Sequence, residues 1–488
     1  MGLYNLLLPL KLDWTPVYSC NTALRVGQRV KVNFNGKDYI AVVLSFKDNS
    51  DAPGFKVLEV SEIPQGLADI SETEIKLWKF VSQYYMCTLG EVYMAAYPKY
   101  KVSTELKKPK RKIIEGQVKS ISSREKYCKP ILYQGASRAQ YYKERISECL
   151  ETGYSALVLV PEVESATILK EAIGIEEAIV FDPALTAAKR RNLANELRHG
   201  DRSIVVIGTR SSLFLPFKNL GLVIVDEEQD PSYKQTEPAP RYNGRDVACV
   251  MASLHNADLV LGSFTPSLES LYNCKIGKYS LVRGDNIPKV NLQLLDIPAE
   301  KRKHGMDGDF SKKMTEAINK ASGDLIRIIR SYTREEEIEK YTERFSKDKT
   351  FQILTAQSSK HLRGESELLV ILNGDSFFDR NDFRSDEKAL QLFRNLSLHT
   401  SKMLIQCTTP SHPVYSAIIE CSLFLDTLMS ERKNFHLPPF SRIVDIKDRK
   451  TGMLVKREVL ERDKSLLEQK KALYLRYGAL YLIDVDPL

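Results

Sequence analysis

The chain has 488 residues, of which 43% are hydrophobic and 27% are charged, and its formal net charge is +8 at pH 7. The hydrophobic content excludes a disordered chain, and the length predicts about three globular domains. The mildly basic balance permits an anionic partner without requiring one.

The cysteines and the apolar runs narrow the class of protein. The eight cysteines form no C-x-x-C pair and no zinc-finger spacing, which indicates reduced thiols. The beginning, MGLYNLLLPLKLDW, has too short an apolar run for a signal peptide and lacks its basic head. No later apolar segment approaches the ~20 residues that span a bilayer. We therefore expect a soluble, cytoplasmic protein with no membrane partner.

Residues 1–105 are predicted to form a β-rich domain. The segment Leu24 to Phe46 alternates in character and turns at Asn35-Gly36, which is a strong hairpin signal. This pattern indicates a small barrel or sandwich, followed by a helix near Glu72 to Met86.

A basic segment follows, from Lys99 to Lys112, with seven basic residues and one Glu. Such runs are most often solvated linkers, and we assign a linker to residues 106–122. The alternative is contact with DNA phosphates. That contact would use the cations Lys107, Lys108, Lys110 and Arg111.

Two α/β series and a short tail complete the chain. Residues 123–290 alternate short buried apolar runs with amphipathic segments, which predicts a parallel sheet with helices on both faces. A weaker series of the same kind covers residues 291–434. The tail, residues 435–488, is predicted to contain a helix from Leu454 to Tyr477 and a final strand at YLIDVDP.

Carboxylates end one of the predicted strands. The apolar run Leu222 to Val225 leads into Asp226, Glu227 and Glu228. Open α/β sheets bind ligands at the carboxyl ends of their strands, where an Asp can hold Mg²⁺ through water and a Glu can orient an attacking water. The alternative is a strand that ends in a solvated acidic turn.

Two segments, Ile207 to Ala248 and Leu259 to Leu271, resemble one protein family in the sequences of their motifs and in the order of those motifs along the chain. They contain IGTRSSLFLPF, VDEEQ, SYKQTEPAPRY and GSFTPSLES. These are similar to motifs of the primosomal replication-restart helicases (PriA, primosomal protein N′) of helicase superfamily 2. The resemblance implies a fold class of α/β type, with a β-rich DNA-binding domain, two RecA-like lobes of which the second is reduced, and a small C-terminal α/β domain. It also gives Thr265 and Ser267 the place of helicase motif III.

Weaker similarity extends to both ends of the chain. LLLPLKLDWTPVYSC resembles the family's domain that binds the 3′ end of a DNA strand, which places Tyr18 in a strand-end pocket. Val17 stands where the family usually has an acidic or polar residue, which puts base recognition there in doubt.

The resemblance fails where the family binds ATP. The phosphate loop reads YQGASRAQYYKERI and retains Gly135, Ser137 and Arg138 without the second Gly or the Lys-Ser/Thr pair. After Gln391 only Arg394 remains of the arginine region that stabilises the γ-phosphate. The segment Ile297 to Ser331 is too short for the family's zinc insertion. No metal site, no zinc and no cofactor are expected.

The aromatic loop of the family is retained. Its residues interleave cations with rings, a combination that suits single-stranded DNA. The candidate DNA-binding residues are Tyr233, Lys234, Gln235, Arg241 and Tyr242. The alternative is a packed surface loop held by its own tyrosines.

The favoured hypothesis is a DNA-binding replication-restart protein that is a pseudo-helicase and does not hydrolyse ATP. One alternative is an active ATP-dependent 3′-5′ helicase that uses ATP and Mg²⁺ at an altered site, with Asp226 and Glu227 catalytic. Another is a protein-interaction scaffold. The expected partners are DNA forks, single strands or strand ends, together with primosome or single-strand-binding proteins.

Overall fold

The structure is a computed structural model that describes residues 2–47, 57–97, 128–182, 184–285, 287–321, 325–330, 341, 343–345, 350–378, 382–461, 465–478 and 480–487. The linker predicted at 106–122, with Lys107, Lys108, Lys110 and Arg111, lies outside the described residues.

The N-terminal domain is a five-stranded sheet with two helices. Its strands are β1 Gly2–Leu7, β2 Val17–Cys20, β3 Arg29–Phe34, β4 Lys37–Lys47 and β5 Leu58–Glu59, in the order β3-β4-β1-β2-β5. Asn35 and Gly36 have φ of 49° and 77°, the left-handed pair that a two-residue hairpin with a type I′ turn requires. Helices α1 Glu72–Tyr84 and α2 Leu89–Ala96 each begin with a capping box, Ser71 with Glu74 and Thr88 with Glu91.

The first lobe is a seven-stranded parallel sheet covered by helices. Its strands are β6 Ile131–Gln134, β7 Ser155–Leu159, β8 Ile179–Phe181, β9 Val205–Gly208, β10 Leu220–Asp226, β11 Asp258–Ser263 and β12 Ser280–Arg283, in the order β12-β6-β11-β10-β7-β9-β8. Its helices are α3 Arg138–Glu151, α4 Val163–Ile173, α5 Ala187–His199, α6 Gly244–His255 and α7 Leu268–Lys275, with 3-10 turns at Arg210–Phe214 and Pro231–Tyr233. Every residue of β10 is buried, because this strand is central and both faces of the sheet are covered.

The second lobe is a smaller parallel sheet. Its elements are β13 Asn291–Asp296, α8 Ile297–Lys303, the hairpin β14 Met306–Asp307 and β15 Phe310–Ser311, α9 Lys312–Lys320, β16 Leu325–Arg330, β17 Thr350–Thr355, β18 Ser366–Ile371, α10 Ser385–Ser397, β19 Thr400–Cys407, α11 Pro413–Ala417 and α12 Ser422–Asn434, with 3-10 turns at Ser358–His361 and Gly374–Phe377. The sheet order is β13-β19-β18-β16-β17.

The C-terminal domain corrects one prediction. Its elements are β20 Ser441–Asp448, β21 Leu454–Glu461, α13 Leu466–Tyr477 and β22 Tyr481–Val485. The helix predicted from Leu454 to Tyr477 is therefore wrong over its first part, where the chain is a strand antiparallel to β20. Pairing with β20 outweighs local helix preference there, and Arg457 is fixed across the pair by two hydrogen bonds to the Asp445 carboxylate, at 2.7 and 3.0 Å.

The predicted fold class is confirmed: a β-rich N-terminal domain, two parallel-sheet lobes with the second smaller, and a C-terminal α/β domain. One hydrophobic cluster joins three of these domains, since it contains Trp78, Val223 and Val444. Among the described residues, no helix is both long and apolar enough to cross a membrane.

Candidate nucleotide and DNA sites

The predicted nucleotide residues meet at the carboxyl end of β10. Asp226 is the last residue of this strand, and Glu227 follows with a φ of 48°, in the left-handed region. Non-glycine residues adopt this region rarely, and when they do it is often at a functional or strained site. The bend lets the Asp226 and Glu227 side chains face the same neighbour, Arg138 at the start of α3.

Arg138 forms ion pairs with both carboxylates. Its Nε donates to Asp226 Oδ1 at 2.8 Å, and its Nη2 donates to Glu227 Oε1. The three side chains are only 14%, 11% and 18% exposed. Burial alone would lower the pKa of Arg138, but the carboxylates of Glu227 and Asp226 raise it above its ordinary value. Both carboxylates of the acidic pair are therefore engaged by one cation from within the protein.

A tyrosine also hydrogen-bonds to the acidic pair. The Tyr142 hydroxyl donates to the same Asp226 Oδ1 at 2.8 Å. Burial, and then the neighbouring Asp226, raise the pKa of Tyr142 well above its usual value, so this hydroxyl keeps its proton and remains a donor. Gly262 on the adjacent strand leaves room for the ring, since a Cβ there would lie 1.6 Å from the Tyr142 oxygen.

The backbone amides in the remnant of the phosphate loop are also hydrogen-bonded within the protein. The Gly135 amide donates to Ser263 O at 3.0 Å, and the Ala136 amide donates to Asp285 O at 2.7 Å. In phosphate loops such amides point at the nucleotide. Ser137 precedes α3, and its side chain makes no capping hydrogen bond. The residues brought together here do not fit a nucleotide's phosphates and Mg²⁺ as they are arranged. Among the described residues, no group of three or more His, Cys, Asp or Glu could hold a metal ion.

Glu228, the third carboxylate, was not assigned a role from the sequence. It is buried and accepts hydrogen bonds from the Ser267 amide at 2.6 Å, the Ser270 hydroxyl at 2.8 Å and Arg245 Nη1 at 3.0 Å. Ser267, predicted as a motif III residue, also caps α7. Glu228 therefore joins β10 to α6 and α7. The sequence signal was the acidic triplet itself, which does not distinguish a ligand from a structural carboxylate.

The single arginine left in the finger region is a core residue. Arg394 is 1% exposed, and its Nε donates to Thr265 Oγ1 at 3.0 Å. Its guanidinium lies 4.8 Å from the Phe264 ring centroid. Thr265, the other motif III residue, thus binds the second lobe through Arg394.

Further polar contacts hold the lobes together. Lys360 in the second lobe lies 2.8 Å from Asp230 and 3.6 Å from Glu162 in the first. The Leu268 amide donates to Glu387 Oε1 at 2.8 Å. These contacts bridge the lobes through protein groups alone.

The two rings of the aromatic loop are buried. Tyr233 is 1% exposed, and its hydroxyl donates to Asp226 O at 2.6 Å; Tyr242 is 2% exposed, and its hydroxyl donates to Arg210 O at 3.2 Å. The interpretation of these rings as base-stacking surfaces is therefore wrong for this structure, and the packed-loop alternative describes them. The sequence alone does not distinguish a buried tyrosine, whose hydroxyl has a hydrogen-bond partner inside the protein, from an exposed one.

The remaining residues of the loop differ in exposure. Lys234 is buried, and its Nζ lies 2.9 Å from Asp484 Oδ1, so it binds the C-terminal domain rather than a surface ligand. Gln235 donates to Pro238 O at 2.7 Å, and Arg241 pairs with the exposed Glu237 at 2.6 Å. Gln235 and Arg241 are thus the predicted loop residues that stay near the surface.

Tyr18 lies inside the N-terminal domain. It is 2% exposed, and its hydroxyl donates to Asn33 O at 2.9 Å, while burial raises its pKa. Its ring does not face a strand-end pocket in this structure, which corrects the role that the resemblance gave it.

Comparison with known proteins gives one domain and several relatives. Residues 5–98 match a family model described as the 3′DNA-binding domain (3′BD) of PriA. A replication restart protein PriA from Rickettsia conorii is 34% identical over 315 residues, covering 60% of this chain and 48% of that protein. The namesake from Chlamydia pneumoniae is 39% identical over 179 residues, covering 35% and 24%. The chain thus spans about half the length, or less, of these curated relatives.

The solved structures are more distant in sequence. The DNA-bound DUF1998 helicase MrfA is 12% identical, and the match covers 61% of this chain and 46% of the MrfA chain, with a TM-score of 0.36. A DEAD box protein from Methanococcus jannaschii is 12% identical, covers 62% and 87%, and has a TM-score of 0.33.

Proposed function

Because the chain belongs to the PriA family of replication restart proteins, we propose that it binds DNA at forks, single strands or strand ends and does so without hydrolysing ATP. In this proposal it acts in replication restart as a pseudo-helicase. Its partners, beyond DNA, are primosome or single-strand-binding proteins, and it uses no cofactor.

The observation that carries the loss of hydrolysis is the closed acidic pair. Arg138 and Tyr142 both donate to Asp226 Oδ1, at 2.8 Å each, and Arg138 also binds Glu227. Mg²⁺ in nucleotide sites is usually fixed jointly by one or two carboxylates and by the phosphates. Here the carboxylates are engaged, and the amides of Gly135 and Ala136 bond to neighbouring carbonyls. Phosphoryl transfer depends almost wholly on positioning and on charge stabilisation, so the loss of both removes catalysis.

DNA binding is supported by a different part of the chain. The match to the 3′DNA-binding domain covers residues 5–98, where the described residues form a five-stranded sheet and two helices. The relatives are named as replication restart proteins, and the net charge of +8 favours a polyanion. When exposed cations of the protein pair with DNA phosphates, counterions condensed on the DNA are released, which makes the affinity depend on salt.

The test combines two measurements on the same sample of the full chain. Fluorescence anisotropy with a labelled forked DNA should give saturable binding that weakens steeply between about 50 and 200 mM salt. Phosphate release with ATP, Mg²⁺ and the same DNA should stay at the level of the buffer. DNA-stimulated phosphate release that Glu227→Gln abolishes would instead support the altered-site helicase, and absence of DNA binding at low salt would support the scaffold.

A further inference from the structure

Two adjoining cavities lie where the N-terminal domain meets the C-terminal domain. One is an apolar groove of about 590 Å³ and the other is a more polar cleft of about 350 Å³. They share the wall residues Met86, Cys87, Thr88 and Tyr474. Both volumes fall in the range of small-ligand sites, and together they form a continuous surface that contains neither the acidic pair nor Tyr18.

The groove presents a tryptophan to solvent. Trp14 lines it and is 58% exposed, and Leu475 on the opposite wall is 86% exposed. The Tyr474 hydroxyl donates to Asp13 Oδ1 at 2.7 Å, which ties α13 to the strand connection that carries Trp14. Apolar side chains this exposed at the meeting of two domains indicate a binding surface rather than core packing.

The adjoining cleft collects cations from three parts of the chain. Lys11 comes from the N-terminal domain, Arg241 from the aromatic loop and Arg449 from the C-terminal domain. Arg449 is held by the carbonyl oxygens of Tyr481 at 3.1 Å and Gly478 at 2.5 Å, and it has no carboxylate partner among the described residues.

The other two cations have weak partners. Lys11 is 55% exposed and lies 3.8 Å from Glu91, whose carboxylate is engaged with Thr88. Arg241 pairs with Glu237, which is 66% exposed. In each pair one of the two side chains is exposed to solvent, and ion pairs at the surface contribute on the order of 0–1 kcal/mol, so an incoming phosphate can replace these partners.

An aromatic ring beside a row of cations matches the chemistry of single-stranded nucleic acid, in which bases stack and phosphates pair with cations. We propose that groove and cleft together bind a segment of single-stranded DNA, with a base against Trp14 and the backbone phosphates along Lys11, Arg241 and Arg449. This inference rests on the proposed DNA binding and locates it. DNA is favoured over an acidic peptide because most of the groove wall, from Leu6 to Pro16 and from Ser82 to Gly90, lies within the segment that matches a 3′DNA-binding domain, and the rest of the wall comes from α13.

The test uses the intrinsic fluorescence of the full chain. The sequence has two tryptophans, and Trp78 is 1% exposed, so quenching by a bound oligonucleotide reports on Trp14. Titration with an unlabelled oligo-dT should quench the emission. Trp14→Phe should abolish the quenching but keep most of the affinity, because phenylalanine still stacks. Trp14→Ala should weaken binding about 5- to 150-fold.

The phosphate contacts are tested by charge. Arg449→Gln should reduce the slope of log K against log salt by about 0.7, the value for one phosphate contact on a single strand. The matched controls are Phe435→Ala, an aromatic that is 73% exposed at the C-terminal end of α12, and Lys320→Gln, a lysine whose side chain is 80% exposed in the second lobe. Neither control should change affinity or salt slope.

The outcomes separate this site from the proposed function. DNA binding with no quenching of Trp14, and with unchanged affinity in Trp14→Ala, would overturn the site while leaving DNA binding intact. Absence of any DNA binding would overturn both. Quenching by an acidic peptide with an apolar end, and none by DNA, would also overturn the proposal and reassign the surface to a protein partner.

Discussion

Arg138 carries one positive charge against the two carboxylates of Asp226 and Glu227, and its planar guanidinium reaches both. A lysine has a single ammonium on a flexible stem and would bind phosphate as a point charge. The arginine fork instead spans the two acidic side chains, with Nε on one and Nη2 on the other. The same residue that departs from the family's phosphate loop is therefore the residue that pairs with both members of the acidic pair.

Removing that guanidinium should destabilise the fold. In Arg138→Met two largely buried carboxylates lose their cation, and breaking such a pair typically lowers the free energy of unfolding by ~3–5 kcal/mol. Urea unfolding measures the change. The matched control is Arg202→Met, whose side chain is 53% exposed and pairs with Glu196, and whose loss should cost less than ~1 kcal/mol.

A rescue variant sharpens this prediction. Adding Asp226→Asn and Glu227→Gln to Arg138→Met removes the unpaired charges and should restore much of the lost stability. If Arg138→Met is as stable as the unchanged chain, the guanidinium does not hold the acidic pair.

For individual residues, the sequence predicted which side chains lie near each other better than it predicted their burial and their hydrogen-bond partners. Gly135, Ser137, Arg138, Asp226 and Glu227 do meet at one sheet edge, because parallel strands end on the same side. The Tyr142 hydroxyl was missed, although it lies one helical turn beyond Arg138 and thus on the same face of α3. The burial of Tyr233 against β7 and of Tyr242 against the 3-10 turn Arg210–Phe214 depends on tertiary contacts, which motif spacing does not encode.

Among the elements, strands bounded by turns were predictable and the C-terminal helix only in part. Five of the seven strands of the first sheet, β6, β7, β9, β10 and β11, coincide with short apolar runs that predict strands, whereas β8 and β12 were not predicted. The segment Leu454–Glu461 forms a strand because it pairs with β20. This pairing is a tertiary contact, which the local sequence of the segment does not reveal. Only Leu466–Tyr477 became the helix α13.

Helix α13 docks on the N-terminal domain through a buried lysine. Lys470 donates to Tyr84 O at 2.5 Å, and its ammonium lies 3.5 Å from the Tyr84 ring centroid. Burial lowers the pKa of Lys470 to about 7, opposed by Asp486 and reinforced by Arg442. These three groups face the ammonium from α1, β20 and the C-terminal end.

This depressed pKa predicts a pH dependence with a definite sign. Between pH 7 and 10.5 the unfolded chain keeps the Lys470 proton while the folded chain releases it, so stability rises with pH across that window. Below about pH 7 both states are protonated and the destabilisation is fully present.

The measurement compares two neighbouring lysines. Lys470→Met should remove this contribution, so its stability advantage over the unchanged chain is largest near pH 6.5 and shrinks toward pH 9.5. Lys471→Met, which changes an exposed lysine on the same helix, should keep the pH slope of the unchanged chain. Equal slopes for all three proteins in chemical unfolding would contradict this role of Lys470.

For the whole molecule, several contacts between protein side chains and backbone groups join the two lobes. Lys360 bridges to Asp230 and Glu162, Arg394 to Thr265, and Glu387 to the Leu268 amide. A helicase needs a nucleotide that binds two lobe arrangements with different affinity, since only differential binding shifts an equilibrium. With the acidic pair engaged by Arg138 and Tyr142, we expect ATP to have no such effect, and DNA binding to be independent of it.

Equilibrium binding of a fluorescent ATP analogue to the full chain, with and without Mg²⁺ and in the presence of forked DNA, tests this account most directly. We predict no saturable binding and no effect of Mg²⁺, because carboxylates and loop amides are already engaged within the protein. Saturable, Mg²⁺-dependent binding that Glu227→Gln removes would contradict it and would make the chain a nucleotide-driven enzyme.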